Sequence, residues 1–183
     1  MTQTNAEARP VIALGTFDGL HPGHRKVLSV CAELACALHA PAAVYTFLEN
    51  PKSLFGAAPE TLMTNEEKER EMRSLGIDTV LAVHFTPSLA SLSPEEFLSM
   101  LLNEYRPLAL VAGEDYTFGK HAAGGSGLLK ELCAQSGIDC VIVPLVRDAR
   151  TGEAYSSTRI REALAKGDYE LARTLKNGIE ADK

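Results

Sequence analysis

The sequence has no cluster of basic residues. Its 18 lysines and arginines are outnumbered by 24 acids, giving a net charge of −6, which argues against a nucleic-acid surface, because backbone phosphates need a basic stripe. No apolar run approaches the roughly 20 residues that cross a bilayer, so no membrane association is expected. The start, Met1 to Arg9, is polar and lacks the basic-then-apolar order of a secretory signal, so a cytoplasmic protein is expected. The four cysteines, Cys31, Cys36, Cys133 and Cys140, form no C-x-x-C pair and have no histidine at metal-ligand spacing. They are expected to be reduced and mostly buried, with no zinc site.

What is present is an ordinary globular composition, 45% hydrophobic and 23% charged over 183 residues, enough for one domain with a substantial core. The most informative stretch runs Gly15-Thr16-Phe17-Asp18-Gly19-Leu20-His21-Pro22-Gly23-His24. It follows a short apolar run, Val11 to Leu14, and precedes an amphipathic stretch. A strand that turns through glycines into a helix gathers free N–H groups and the positive end of the helix dipole, which suits phosphate. His21 and His24, three apart across Gly23, can face the same anion; taken singly, each could equally be a cap or a surface residue. The turn has neither the G-x-G-x-x-G nor the G-x-x-x-x-G-K-[ST] pattern, which removes support for the dinucleotide fold and the P-loop.

Periodicity supplies the framework around that turn. Val27, Leu28, Cys31, Leu34, Ala35 and Leu38 mark one helical face from His24 to His39. Ala42 to Phe47 reads as a second strand, Thr79 to Val83 as a third, Leu108 to Ala112 as a fourth and Cys140 to Val143 as a fifth. Between them, Thr64-Asn65-Glu66-Glu67 and Ser93-Pro94-Glu95-Glu96 are capping boxes that open helices. The run Glu66 to Arg73 reads as a solvated face with pairs such as Glu66 with Arg70, and Gly124 to Gly127 as a flexible turn with Ser126 as a helix cap. This alternation specifies an α/β fold, a Rossmann-like open, mainly parallel five-stranded sheet with helices on both faces.

Two further strand exits and one helix start carry candidate ligand groups. After the second strand comes Leu48 to Gly56, containing Asn50, Pro51 and Phe55; after the fourth comes Gly113-Glu114-Asp115-Tyr116-Thr117-Phe118-Gly119. Loops at the carboxyl ends of parallel strands are where such sheets bind ligands, although aromatics there can also fold back onto the core. Further on, Tyr155-Ser156-Ser157-Thr158-Arg159-Ile160-Arg161 places three hydroxyls and two arginines at a helix start. One hydroxyl suffices for a cap; Thr158 and Arg161 can face one way and hold phosphate oxygens, with Arg159 pointing elsewhere.

The first stretch resembles the His-x-Gly-His signature of the nucleotidylyltransferase superfamily. More closely, it is similar to the Gly-x-Phe-Asp-Gly-x-His-x-Gly-His version in the adenylyltransferase domain of bacterial FAD synthetases. Residues 155–161 resemble that family's Ile-Ser-Ser-Thr-x-Ile-Arg motif, with Tyr155 replacing Ile, and Gly167-Asp168 resembles the start of its next short helix. The segment from Thr46 resembles the family's Thr-Phe-x-Pro-His-Pro region, with Glu49 and Asn50 in place of Pro and His. That departure is expected to change one pocket wall in shape and charge. Residues 113–119 resemble Gly-Glu-(Asp/Asn)-Phe-x-Phe-Gly.

The resemblance implies transfer of AMP from ATP to FMN. It assigns ATP to Gly15, Phe17, Asp18, Gly19, His21, Gly23, His24, Ser157, Thr158 and Arg161, with His21, His24 and Arg161 catalytic. Flavin is assigned to Pro51, Phe55, Asp115, Thr117 and Phe118. Magnesium is expected, held chiefly by phosphate oxygens, with no protein ligand named. The expected layout is a flexible 1–10 segment, a nucleotidylyltransferase domain over 11–176 and a tail over 177–183. Bacterial members normally continue into a riboflavin kinase barrel, and this chain is expected to lack one. Two alternatives stay open: the same chemistry on another phosphorylated acceptor, or a non-catalytic flavin- or nucleotide-binding module. The oligomeric state is not readable.

Overall fold

The computed structural model describes residues 9–56 and 59–178. Most of the expected N-terminal segment and C-terminal tail therefore lies outside the described residues. The chain runs through β1 (Val11–Leu14), α1 (Pro22–Ala37), β2 (Ala42–Phe47), α2 (Asn65–Ser74), β3 (Thr79–Val83), α3 (Pro87–Ser91) and α4 (Pro94–Tyr105). It continues through β4 (Ala109–Gly113), β5 (Thr117–Phe118), β6 (Gly124–Gly125), α5 (Ser126–Gln135), β7 (Asp139–Val143), α6 (Ser157–Ala165) and α7 (Tyr169–Asn177). Single 3-10 turns span Pro51–Phe55 and Lys120–Ala122.

Five strands form one sheet in the order β3-β2-β1-β4-β7, and every neighbouring pair is parallel. Parallel strands covered on both faces need continuous apolar sequence, and all four residues of β1 are buried. Alternate residues serve the two faces. Val11 and Ala13 pack with Val27, Leu28 and Cys31 of α1 and Met72 of α2. Ile12 and Leu14 pack with Phe97 and Leu101 of α4 and Leu129 of α5. The chain adds β2 and β3 on one side of β1, then crosses to add β4 and β7 on the other. The crevice outside the carboxyl ends of β1 and β4 is therefore the topological switch point, where ligands bind in such sheets. A third cluster, Tyr155, Ile160, Ala163, Ala172 and Leu175, joins α6 to α7.

Both expected capping boxes form: Thr64 Oγ1 accepts from Glu67 N at 3.1 Å and Ser93 Oγ from Glu96 N at 3.2 Å. Other expectations are corrected. The Gly124 to Gly127 stretch is ordered rather than a free turn, since Gly124 and Gly125 pair antiparallel with Thr117 and Phe118. Gly125 occupies the cap position of α5, whereas the Ser126 hydroxyl donates to the Glu114 carbonyl at 2.8 Å. Along α2 the helix's own ion pair, among the described residues, is Glu69 with Arg73 rather than Glu66 with Arg70. Arg73 is fixed there by a second bond to the Asp78 carbonyl. Nor is the run wholly solvated: Lys68 is buried and donates to the Phe47 carbonyl at 3.0 Å.

Candidate active site

The exit of β1 is a turn held by its apolar residues. Phe17 and Leu20 adopt left-handed backbone angles, φ 52° and 39°, which cost a non-glycine residue on the order of 1–2 kcal/mol each. Both side chains are fully buried, and that burial offsets the strain. Gly15 is required beneath the Phe17 ring, because a Cβ there would lie 2.9 Å from it. The turn leaves Asp18 and His21 at the switch point.

His21 is the N-cap of α1, its Nδ1 accepting from the His24 backbone N–H at 3.4 Å, and Pro22 follows at the first helical position. With Nδ1 accepting, the proton of the neutral ring sits on Nε2, which is left to donate. The two imidazoles stack with centroids 3.7 Å apart, and Phe17 meets His24 edge-on. Burial pushes the His21 pKa down to about 4. His24 is depressed well below its usual value by burial first, then by His21 and by the buried Lys68. In this state both rings are neutral at pH 7. His24 Nδ1 is buried without a hydrogen-bond partner among the described residues, a desolvation cost of about 1–3 kcal/mol that a bound donor or acceptor would relieve.

The α6 start closes the opposite side. Ser156 is the cap, accepting from Arg159 N at 3.3 Å. This frees Ser157, whose hydroxyl donates to the Asp18 carbonyl at 2.6 Å. Arg161 forms an ion pair with the Asp18 carboxylate and donates from Nε to the Glu60 carbonyl at 2.8 Å. The other Asp18 oxygen accepts from Leu62 N at 3.1 Å. Arg159 turns away to Glu153 and the Ala154 carbonyl, as its position on the helix predicts.

Between these elements lies a cavity of about 740 Å³. Every residue that the sequence assigns to ATP or flavin lines it except Gly19, where φ is +82° and an added Cβ would fall 2.7 Å from the Leu62 side chain. The β1 exit and the α6 start contribute His21, His24, Asp18, Ser157, Thr158 and Arg161 to the cavity lining. Pro51, Phe55, Asp115, Thr117 and Phe118 line it together with Phe47 and Tyr116 of the same two resembling segments, and with three residues that sequence reasoning did not place there: Phe85, Leu89 and Phe97. Phe97 reads in sequence as ordinary core, and it does pack in the core as well. Phe85 lies just beyond β3, so the same strand-exit rule that marks residues 48–56 and 113–119 could have found it.

The expected change of wall at residues 49 and 50 is half corrected. Asn50 lines the cavity and caps the 3-10 turn, accepting from Lys52 N at 3.0 Å. Glu49 does not line it; its carboxylate is bound to His84, which holds it below the usual carboxylate range. Among the described residues no three His, Cys, Asp or Glu side chains gather as a metal cage.

A wholly parallel five-stranded sheet whose switch point brings the β1 exit and the α6 start to a single cavity is an α/β fold of the nucleotidylyltransferase type. The family model described as FAD synthetase matches residues 3–159, and the chain belongs to that family. It is 35% identical over 176 residues to the bifunctional riboflavin kinase/FMN adenylyltransferase of Bacillus subtilis (strain 168), covering 92% of this chain and 54% of that one. It is 34% identical over 168 residues to the protein of the same name from Escherichia coli (strain K12), covering 90% and 53%. The chain thus spans about half the length of the curated relatives it matches. Among solved structures, one described as a macrolide-efflux protein from Streptococcus pneumoniae superposes with a TM-score of 0.80 at 31% identity, covering 93% of this chain and 55% of that one.

Proposed function

We propose that this chain transfers AMP from ATP to FMN, giving FAD and pyrophosphate, through a nucleotidylyltransferase domain over residues 11–176. The observation that carries this is the lining of one cavity: histidine, hydroxyl and arginine side chains from the β1 exit and the α6 start, which suit phosphates, and aromatic side chains from β2, the β3 exit, α4 and the β4 exit. A flavin ring suits the aromatic end, and its phosphate then lies toward the nucleotide.

An FMN phosphate oxygen attacks the α-phosphorus in line, and the bond to the bridging oxygen of pyrophosphate breaks. No protein nucleophile is needed, so the protein positions the partners and stabilises charge. His21 Nε2–H and the N-terminus of α1 face the α- and β-phosphates, where charge accumulates as pyrophosphate leaves. Ser157, Thr158 and Arg161 hold the β- and γ-phosphates. Magnesium would be held chiefly by the phosphate oxygens of ATP, where it keeps its waters and offsets their charge.

Separate titrations of the protein with FMN and with magnesium-ATP test the two-ended reading. Both are expected to bind, with His21→Ala combined with His24→Ala weakening ATP and leaving FMN binding intact. Binding of ATP without FMN would redirect the acceptor to another phosphorylated compound.

A further inference from the structure

Glu49 stands at the exit of β2 with its side chain turned away from the cavity and spanning to the exit of β3. One carboxylate oxygen accepts from His84 Nδ1 at 2.7 Å, and the other accepts from the backbone N–H of Phe85 at 3.4 Å. A carboxylate can only accept, so Nδ1 of His84 carries the proton. The ladder between the two strands ends just before this point, with Leu48 N donating to the Val83 carbonyl at 3.0 Å. Beyond it, Glu49 hydrogen-bonds the exit of β2 to that of β3. Phe85, held by its amide, meets Phe47 edge-on with centroids 5.0 Å apart, and both rings line the cavity. The chain then enters α3, which brings Leu89 and Ala90 to the same wall.

We infer that Glu49, with His84, is a positioning residue for the acceptor: the clasp fixes Phe85, and so the aromatic wall against which the planar ring of the flavin seats. The inference rests on the proposed FMN adenylyltransferase reading and deepens it. Without the clasp, the 84–86 segment must be ordered by the acceptor itself, and that ordering cost appears in acceptor affinity. The phosphate end is built on β1, α1 and α6 and is unaffected. Glu49 also matters as a carboxylate rather than as a charge. Two acceptor oxygens serve two donors, whereas glutamine has one acceptor oxygen and keeps one bond.

The test compares Glu49→Ala, Glu49→Gln and His84→Ala with the wild type in steady-state FAD formation, varying FMN and ATP in turn, alongside amide exchange at Phe85. Both residues are exposed, so folding is expected to survive. In Glu49→Ala the KM for FMN rises about three- to tenfold, while kcat and the KM for ATP stay within about twofold. Glu49→Gln and His84→Ala give smaller rises, and exchange at the Phe85 amide quickens in Glu49→Ala. If the wild type forms FAD while Glu49→Ala keeps the wild-type KM for FMN, or raises both KM values in parallel, the inference is overturned and the activity stands. If the wild type forms no FAD, the reading beneath it falls, and the inference with it.

Discussion

The carboxylate of Asp18, on the turn after β1, is paired with the guanidinium of Arg161, on the first turns of α6, although the two are 143 residues apart in sequence. The pair ties the exit of β1 to the start of α6. It aims an arginine that would otherwise sample many rotamers, and the Ser157 bond to the Asp18 carbonyl reinforces the same junction.

Asp18→Asn leaves the turn's hydrogen bond to Leu62 N possible but removes the charge opposite Arg161. Hydrogen bonds to charged groups contribute about 1.5–3 kcal/mol, so kcat/KM for ATP should fall by roughly 10- to 100-fold. FMN binding should change little. Initial rates at varied ATP, with FMN saturating, measure the first effect, and FMN titration checks the second.

The junction also shows what was legible in the sequence. The strands read accurately because a fully covered parallel sheet demands uninterrupted apolar runs, as in Val11–Leu14 and Ala42–Phe47. Caps at Thr64 and Ser93 read well because capping is local chemistry. Side-chain destinations set by tertiary packing did not. Lys68 sits in a charged run, but the helix face it occupies is the one laid over the end of β2. Glu49 sits in a pocket loop yet serves the neighbouring strand. The two-residue strands Thr117–Phe118 and Gly124–Gly125 are too short for any periodic signal.

Acid stability carries the signature of the histidine pair. The His21 pKa, about 4 when folded, lies below its ordinary 6.5, so the unfolded chain takes up the proton first. Stability is therefore untouched above about pH 6.5 and declines from there toward pH 4, by up to roughly 3 kcal/mol from this residue. His21→Gln removes that contribution. Urea unfolding at pH 7 and pH 4.5 should show a smaller acid loss in the variant than in the wild type.

Gly124 is packed against the Phe118 ring so closely that a Cβ would fall 2.7 Å from it. Gly124→Ala should push Phe118 out of the cavity wall, costing about 1–3 kcal/mol and lowering Tm by several degrees. A KM for FMN that rises more than the KM for ATP would localise the damage to the aromatic end. Thermal unfolding with and without FMN provides the check.

The central claim is that the phosphate end and the aromatic end of one cavity join ATP to FMN. Incubation of the protein with ATP, magnesium and FMN, followed by chromatography for FAD and pyrophosphate, addresses it directly, with the His21→Ala, His24→Ala double variant as control. The account predicts equal amounts of FAD and pyrophosphate from the intact protein and a near-complete loss in the double variant. FAD formed equally by both proteins, or ATP bound with no FAD formed, would contradict it.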